Sequence, residues 1–442
     1  MTRLRNVLYV TVAVCSITTG LLYAQAKQAA APAALTPEKY AASKEWPTYG
    51  HDTGGMRHSP LTEITPANVS NLEIAWTYHL KPEGYVAPAG GRGGGRAGGD
   101  PAAAGRAGGD PAAVGRAGGD PAAGGRAGAP AGGGRGGGNG LQGSQATPLV
   151  INGIMYIASP YGRVVALDPT TGKEVWVYTL PTGNPATRGV EYFPGDATTP
   201  PQIVVGTSDA KLFTLDAKTG ALNTKFGPNG IVDLDTPEMT HGLPNIHVPV
   251  SSPPSMYKNL IIIGSHVQEG NGPGGSGDIR AFDIHDGKLA WTFHSIPQKG
   301  EPNFGGWPGD SANQRSGVNV WGFMTVDAAR GIVYIPFGGA SGDLWGGDRP
   351  GDGLYGTSLV AADAKTGKYL WHFQVVHHDV WDYDLEAPPL LMDVKQGGKT
   401  IPAVAIVSKN SLVFILDRVK GKPVYKVEER PVAQSPVPVE KL

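Results

Sequence analysis

The chain has 442 residues, of which 66 are Gly and 38 are Pro, and this abundance of helix-interrupting residues excludes a long-helix or coiled-coil protein. The 37 basic residues nearly balance the 38 acidic ones, so the net charge of -1 excludes a general electrostatic attraction to nucleic acid or to acidic lipid. A single cysteine, Cys15, excludes a disulfide framework and a cysteine-based zinc site. The length permits two or three ordinary domains or one large β-architecture.

Residues 1–26 are predicted to be a secretory signal peptide. Arg3 and Arg5 precede a mostly apolar run over 7–24, and the triplet Ala-Gln-Ala at 24–26 is typical of a cleavage site. The protein is therefore expected to be periplasmic or secreted. The apolar run is also about the minimum length for a spanning helix, so an uncleaved N-terminal anchor stays open. Otherwise membrane contact is expected to be at most peripheral.

Residues 88–140 consist almost entirely of Gly, Ala, Pro, Arg and Asp. A ten-residue repeat starts at Arg96, Arg106 and Arg116. Such a segment cannot bury enough apolar surface to offset its ordering entropy, so it is predicted to be a disordered surface insertion. An RNA-binding arm is the alternative. The interleaved Asp residues and the lack of aromatic side chains for base stacking argue against it.

The rest of the chain repeats one unit, in which a β-rich run ends in Asp, a Thr-Gly or similar turn follows, and a second strand leads toward an aromatic residue. The Asp residues of five such units are Asp168, Asp216, Asp283, Asp363 and Asp417. Asp accepts hydrogen bonds from its own turn and Gly supplies the positive φ, so each unit is predicted to be a hairpin. Another strand pair precedes each hairpin, as in propeller blades.

The sequence therefore predicts an all-β fold, a β-propeller of four-stranded blades. Residues 27–87 are expected to hold the N-terminal segment and the first blade strands, and residues 141–442 the remaining blades, about six in all. Trp176, Trp291 and Trp371 close three of the units and are predicted to pack between neighbouring blades. A doubly wound nucleotide-binding fold is disfavoured, because no helical periodicity alternates with the strands.

Two segments are more specific than the repeats. One begins at Trp46 and reads Trp-Pro-Thr-Tyr-Gly-His-Asp, and the other covers 377–384 and reads His-His-Asp-Val-Trp-Asp-Tyr-Asp. From Trp46 to its C-terminus the chain resembles the pyrroloquinoline quinone (PQQ) dependent dehydrogenases, most of all the branch of membrane-bound glucose dehydrogenase. The resemblance implies an eight-bladed propeller with the cofactor on its axis. With about six blades, the chain is expected to be an incomplete, N-terminal part of such a propeller.

The resemblance also implies the acidic residues of a catalytic site. Asp382 matches the family's general base, and Asp379 or Asp384 would take this role if Asp382 does not. Asp384 is expected to be a metal ligand or a supporting carboxylate. Glu269 matches the acidic ligand of a metal ion, which is Ca²⁺ or another divalent or lanthanide ion. Ordinary alternatives stay open, because Asp382 can be a turn-capping residue and Glu269 a solvated carboxylate.

Four further residues, Lys409, Trp321, Tyr161 and Ser341, are implied as cofactor contacts, with Asp343 as the alternative to Ser341. Lys409 matches the cation beside the quinone oxygens, and Trp321 the aromatic floor on which the flat ring stacks. Tyr161 replaces a His that the glucose-oxidising branch places against the cofactor. Ser341 and Asp343 are the oxygen donors that remain near the position where the family usually has Asn. An exposed lysine and a blade-core tryptophan are the ordinary alternatives for Lys409 and Trp321.

The implied function is oxidation of an alcohol, polyol or aldose by hydride transfer to PQQ. No haem-binding Cys-x-x-Cys-His motif is present in the sequence, so electrons are expected to leave to a separate acceptor, a quinone or cytochrome c. The alternatives are a non-catalytic propeller that acts as a periplasmic scaffold, and an inactive fragment of a dehydrogenase.

Overall fold

A computed structural model describes residues 43–86, 142–385, 387–437 and 439–442. The predicted signal peptide at 1–26 and the predicted insertion at 88–140 lie outside the described residues. Within those ranges, helix is limited to the short α1 (Pro237–Thr240) and to single 3-10 turns at Val69–Asn71, Pro228–Gly230 and Phe304–Gly306. No helix in the described part is long and apolar enough to cross a bilayer.

Nineteen strands of the described residues form five antiparallel sheets in which consecutive strands pair. Sheet one contains β1 (Leu149–Ile151), β2 (Ile154–Ser159), β3 (Arg163–Leu167) and β4 (Glu174–Thr179), and sheet two contains β5 (Glu191–Phe193), β6 (Gln202–Gly206), β7 (Lys211–Asp216) and β8 (Ile231–Asp233). Sheet three contains β9 (Ser255–Tyr257), β10 (Leu260–Ile263), β11 (Ile279–Asp283) and β12 (Leu289–Phe293). Sheet four contains β13 (Thr325–Asp327), β14 (Ile332–Pro336), β15 (Ser358–Asp363) and β16 (Tyr369–Gln374), and sheet five contains β17 (Leu390–Gln396), β18 (Lys399–Val407) and β19 (Val413–Asp417).

The four-stranded meanders confirm the predicted all-β propeller of four-stranded blades. The described residues form five sheets, and within 43–86 they contribute a single β-bridge, from Trp46 to Val150. The count of about six blades and the division at residue 87 stay predictions.

The repeated Asp-to-Gly turn is the local element that builds each blade. In the first sheet, the Asp168 carboxylate accepts hydrogen bonds from the backbone N–H groups of Thr170 (2.7 Å) and Thr171 (3.2 Å). Gly172 then adopts a φ of 69°, which a residue with a side chain rarely adopts. The turn is therefore encoded by its own residues, and the β3–β4 hairpin follows from it.

The tryptophans at the blade ends pack against the turns of the next blade, as predicted. The Trp176 indole lies against Gly220, where an added Cβ would come within 2.6 Å of the ring, and its Nε1 donates to the carbonyl of Ala217 (3.0 Å). Trp291 lies in the same way against Gly367, and Trp371 against Gly421. Glycine is required at these turns for close approach as well as for positive φ.

Hydrophobic cores lie between each pair of adjacent sheets. Val164 and Trp176 of sheet one pack with Ile203 and Leu215 of sheet two, and comparable clusters join sheets two and three, three and four, and four and five. The first strand of the third sheet, β9, contacts both β5 and β13. The first strands are therefore innermost and surround a common axis.

The segment 46–54 crosses the inner strands and connects four sheets. Trp46 forms a β-bridge with Val150, and Thr48 Oγ1 donates a hydrogen bond to the Glu191 carboxylate (2.7 Å). The carbonyls of Thr53 and Gly54 accept hydrogen bonds from the N–H groups of Val326 (2.8 Å) and Leu391 (3.0 Å). Burial raises the pKa of Glu191 to about 8, against the hydrogen bonds from Thr48 and Tyr192. A neutral carboxyl group is thus enclosed where this segment meets the second sheet.

We expect Glu191→Gln to flatten the pH dependence of stability. A carboxyl pKa that is raised by folding contributes stability that is complete below the ordinary value of 4.5 and is lost as the pH rises through about 8. Gln carries no titrating proton, so the variant should lack this loss, whose slope is up to about 1.4 kcal/mol per pH unit. Urea unfolding at pH 5 and pH 8 measures it. The exposed Glu73→Gln is the control. The assignment would be refuted if the free energy of unfolding changed by the same amount between pH 5 and pH 8 in wild type and in Glu191→Gln.

Candidate active site

Six of the seven predicted site residues line one cavity of about 240 Å³, together with Asp343, Asn319 and two glycines. The six are Glu269, Trp321, Ser341, Asp382, Asp384 and Lys409. Tyr161 is the exception. Its hydroxyl accepts a hydrogen bond from the backbone of Gln142 (2.8 Å), and its ring meets the edge of Tyr85. The structure therefore gives Tyr161 a packing role beside the first sheet and does not bring it to the cavity.

Blade topology explains why residues that are distant in sequence meet here. In an antiparallel meander of four strands, the loop between strands two and three and the connection to the next blade lie at the same end. Glu269, Ser341 and Lys409 lie in the β10–β11, β14–β15 and β18–β19 loops, whereas Trp321 and Asp382 lie in connections between blades. Radial packing of sheets three to five then brings these loops together.

Asp384 is a fixed carboxylate. Its Oδ1 accepts a hydrogen bond from the N–H of Gly339 (2.6 Å), and its Oδ2 accepts from Trp321 Nε1 (3.0 Å) and from Lys409 Nζ (3.1 Å). Only 8% of the residue is exposed. Asp384 thus contacts both Trp321 and Lys409 at the cavity, and the choice between a metal ligand and a supporting carboxylate stays a prediction.

Asp382 is more accessible. Its side chain is 48% exposed, and its Oδ1 lies 2.9 Å from Lys409 Nζ. Burial acts to lower the pKa of Lys409, but the hydrogen bonds and charges of Asp382 and Asp384 outweigh it and raise this pKa above its ordinary value. Lys409 is therefore a stable cation that bridges two carboxylates, and Asp382 presents an acceptor oxygen to molecules that enter the cavity.

Trp321 offers a flat apolar surface with two cations beside it. Lys409 Nζ lies 5.6 Å and Arg188 Cζ 5.0 Å from the centre of its ring, within the range of cation–π attraction. Its carbonyl accepts hydrogen bonds from Ser251 Oγ (2.9 Å), Ser252 Oγ (2.6 Å) and Arg188 Nη1 (3.1 Å). Sequence reasoning missed Arg188, because no motif marks this arginine in the β4–β5 connection.

Negative charge predominates at the cavity, where four carboxylates face the Lys409 ammonium. Burial raises the pKa of Asp343 to about 7, with further contributions from the charges of Asp382, Asp384 and Glu269. Hard oxygen donors of this kind suit Ca²⁺. In addition, Ser341 Oγ is buried without a hydrogen-bond partner.

These donors nevertheless do not form a metal site in their present arrangement. Glu269 is 69% exposed, and its carboxylate lies 3.5 Å from His266 Nε2. The Lys409 ammonium contacts Asp382 and Asp384 together, where an ion shared by these two carboxylates would bind. Among the described residues, no three His, Cys, Asp or Glu side chains are grouped closely enough to hold one ion. The donor chemistry fits a metal ion and the geometry does not.

The chain belongs to the PQQ-dependent dehydrogenases. Residues 46–94 and 131–442 match the family model described as the β-propeller domain of PQQ-dependent glucose, ethanol and alcohol dehydrogenases. Its relatives include quinoprotein glucose dehydrogenase A of Acinetobacter calcoaceticus, with 30% identity over 89% of this chain, and the glycerol dehydrogenase large subunit of Gluconobacter oxydans, with 32% identity over 91%.

Solved structures agree with the family. The quinohemoprotein alcohol dehydrogenase of Comamonas testosteroni superposes with a TM-score of 0.66 and 26% identity, over 92% of this chain and 53% of its own. The matches cover 45% of the glucose dehydrogenase and 49% of the glycerol dehydrogenase subunit. The chain thus spans about half the length of the curated relatives it matches.

We expect Lys409→Met to lower stability in a pH-dependent way. Without the ammonium, the carboxylates at the cavity repel one another when they are ionised, and this repulsion disappears once they are protonated. The loss in free energy of unfolding should therefore be about 1 kcal/mol at pH 7 and smaller at pH 4. Chemical unfolding at both pH values measures it, with Lys395→Met on β17 as the control. A loss that is the same at both pH values would contradict the ion-pair role.

Proposed function

We propose that the cavity is the catalytic centre of a dehydrogenase that oxidises the CH–OH group of an alcohol, polyol or aldose with PQQ. The observation that carries the proposal is the accessible Asp382 carboxylate beside Lys409, at a cavity whose wall includes the Trp321 ring. PQQ, when bound, supplies a two-electron quinone that accepts a hydride. The residues present fit such a flat anionic ring, since the Trp321 ring and the Lys409 ammonium line the cavity and Arg188 lies beside that ring.

Each residue contributes a separate part of binding. Trp321 stacks on a planar ring and gains apolar contact, as aromatic pairs do. Lys409 would donate from its ammonium to a quinone oxygen of bound PQQ and so stabilise negative charge there. Arg188, which is half-buried beside the same ring, would pair with a carboxylate of the cofactor in this proposal.

Asp382 acts as the general base in this proposal. The substrate hydroxyl gives its proton to the Asp382 carboxylate while the C–H bond breaks and its hydride leaves with two electrons, so that a carbonyl forms. Its exposed side chain permits contact with a substrate hydroxyl. Asp384, which already accepts three hydrogen bonds, is less available for this role.

Asp382→Asn should lower kcat by about 100- to 10,000-fold, because the amide retains the size of the carboxylate and cannot accept the proton. The affinity for PQQ, measured by an absorbance titration, should change by less than about 3-fold, since Trp321 and Arg188 are retained. The dye-linked oxidation of a substrate panel, after addition of PQQ and Ca²⁺, gives the rates. The exposed Asp310→Asn is the control. A variant that keeps more than about a tenth of wild-type turnover would exclude Asp382 as the base.

The substrate class is proposed from the two sequence relatives named above. They are named for glucose and for glycerol, both polyhydroxy compounds. We propose a sugar or polyol in preference to methanol, and equal turnover of glucose and methanol would remove this preference. Export to the periplasm or outside the cell, and transfer of electrons to a separate quinone or cytochrome c, are proposed from the sequence.

Calcium binding is a further proposal, with Glu269 and Asp384 as ligands and Asp343 as an additional oxygen donor. Because these donors are not grouped around one point, no step of the reaction is assigned to the ion. Glu269→Gln should weaken Ca²⁺ binding by about 10-fold or more in isothermal titration calorimetry of the PQQ-loaded protein. Glu73→Gln is the control, and equal affinities in both variants would exclude Glu269 as a ligand.

A further inference from the structure

We infer that Asp379 is a positioning residue that holds Asp382 at the cavity, an inference that rests on the proposed function of Asp382. Asp379 lies three residues before Asp382 in the connection between β16 and β17. It is 7% exposed, whereas the Asp382 side chain is 48% exposed. The two aspartates of one short loop thus occupy opposite environments.

The Asp379 carboxylate binds the backbone on both sides of Asp382. Its Oδ1 accepts from the N–H of Trp381 (2.9 Å), and its Oδ2 accepts from the N–H of Tyr383 (2.9 Å). Oδ2 also accepts from Thr357 Oγ1 (2.8 Å), which belongs to the loop before β15. The loop therefore folds around one carboxylate, as in turns capped by Asp side chains.

This arrangement stabilises an uncommon backbone conformation at Asp382. Asp382 has a φ of 59°, in the left-handed region that residues with side chains rarely adopt. Such a conformation persists only where surrounding contacts determine it. The hydrogen bonds from the backbone N–H groups of Trp381 and Tyr383 to the Asp379 carboxylate supply these contacts on both sides of Asp382. The hydrogen bond from the Gly339 N–H to the Asp384 carboxylate fixes the end of the loop.

Asp379 is itself held by the adjacent blade. Arg349, which is 2% exposed, donates from Nη2 to the main-chain carbonyl of Asp379. Together with Thr357, this contact ties the loop to the β14–β15 connection, which also carries Ser341 and Asp343. Because its oxygens are engaged by three donors inside the protein, Asp379 acts through Asp382 and not on the substrate.

The test is Asp379→Asn in the full chain supplied with PQQ and Ca²⁺. An amide nitrogen replaces one oxygen, so at least one of the two backbone N–H groups loses its acceptor. Misplacement of a catalytic group by about 1 Å costs about 100-fold in rate, so we expect kcat to fall by about 10- to 100-fold. KM and the dissociation constant of PQQ should each stay within about 3-fold, since the other cavity residues are unchanged.

Asp363→Asn is a matched control. The Asp363 carboxylate also accepts three hydrogen bonds, from the N–H groups of Lys365 and Thr366 and from the Thr366 hydroxyl. These residues form the β15–β16 turn, at the end of the blade opposite the cavity. Hydrogen exchange at Trp381 and Tyr383 in the cofactor-free chain adds a readout that needs no activity. It should accelerate in Asp379→Asn and stay unchanged in Asp363→Asn.

A kcat within 2-fold of wild type would overturn the inference, and so would a loss of PQQ binding that equals the loss of rate. If wild type oxidises no substrate, the proposed function fails, and hydrogen exchange alone then decides whether Asp379 holds the loop. Should Asp379→Asn not fold, Thr357→Val removes one of the three donors and is expected to lower kcat by a few fold at constant KM. Unchanged kcat and exchange in that variant would also overturn the inference.

Discussion

Packing between sheets is the constraint on which the rest of the structure depends. A four-stranded sheet with two apolar faces is stable only when both faces are covered. Among the described residues, sheets two to four pack against a neighbouring sheet on both faces, and sheets one and five on one face. The tryptophan of one blade and the turn glycine of the next set the spacing between the sheets, because the ring occupies the volume that a Cβ would need. A substitution at such a glycine would therefore change the angle between blades as well as a single contact.

The site is a consequence of this radial packing. Each of the five loops at the cavity contributes only one or two polar side chains, and none of these loops would form the site by itself. Lys409, Asp384 and Trp321 come from three different loops and are joined by two hydrogen bonds to one carboxylate. The precision of the site thus derives from the rigidity of the cores beneath the loops.

Charge is distributed unevenly at the cavity. Several carboxylates share one ammonium, so part of their repulsion is not offset by protein groups, and a cationic partner is the natural compensation. Positive charge predominates beside the Trp321 ring, because Arg188 and Lys409 lie near its face. An anionic planar cofactor and a cation would complement these two regions, which is the combination that the family implies.

The sequence by itself determined the repeating unit. The Asp turn, its glycine and the closing tryptophan act within or next to one hairpin, and their bonds are local, so the all-β blades could be predicted from them. The resemblance to the family marked further cavity residues, which are Glu269, Trp321, Ser341, Asp343, Asp382, Asp384 and Lys409. Only the tertiary structure decided that Tyr161 packs beside the first sheet, that Arg188 lies at Trp321, and that Asp379 is buried while Asp382 is exposed. These outcomes depend on contacts between loops of different blades, and no local pattern along the chain encodes such contacts.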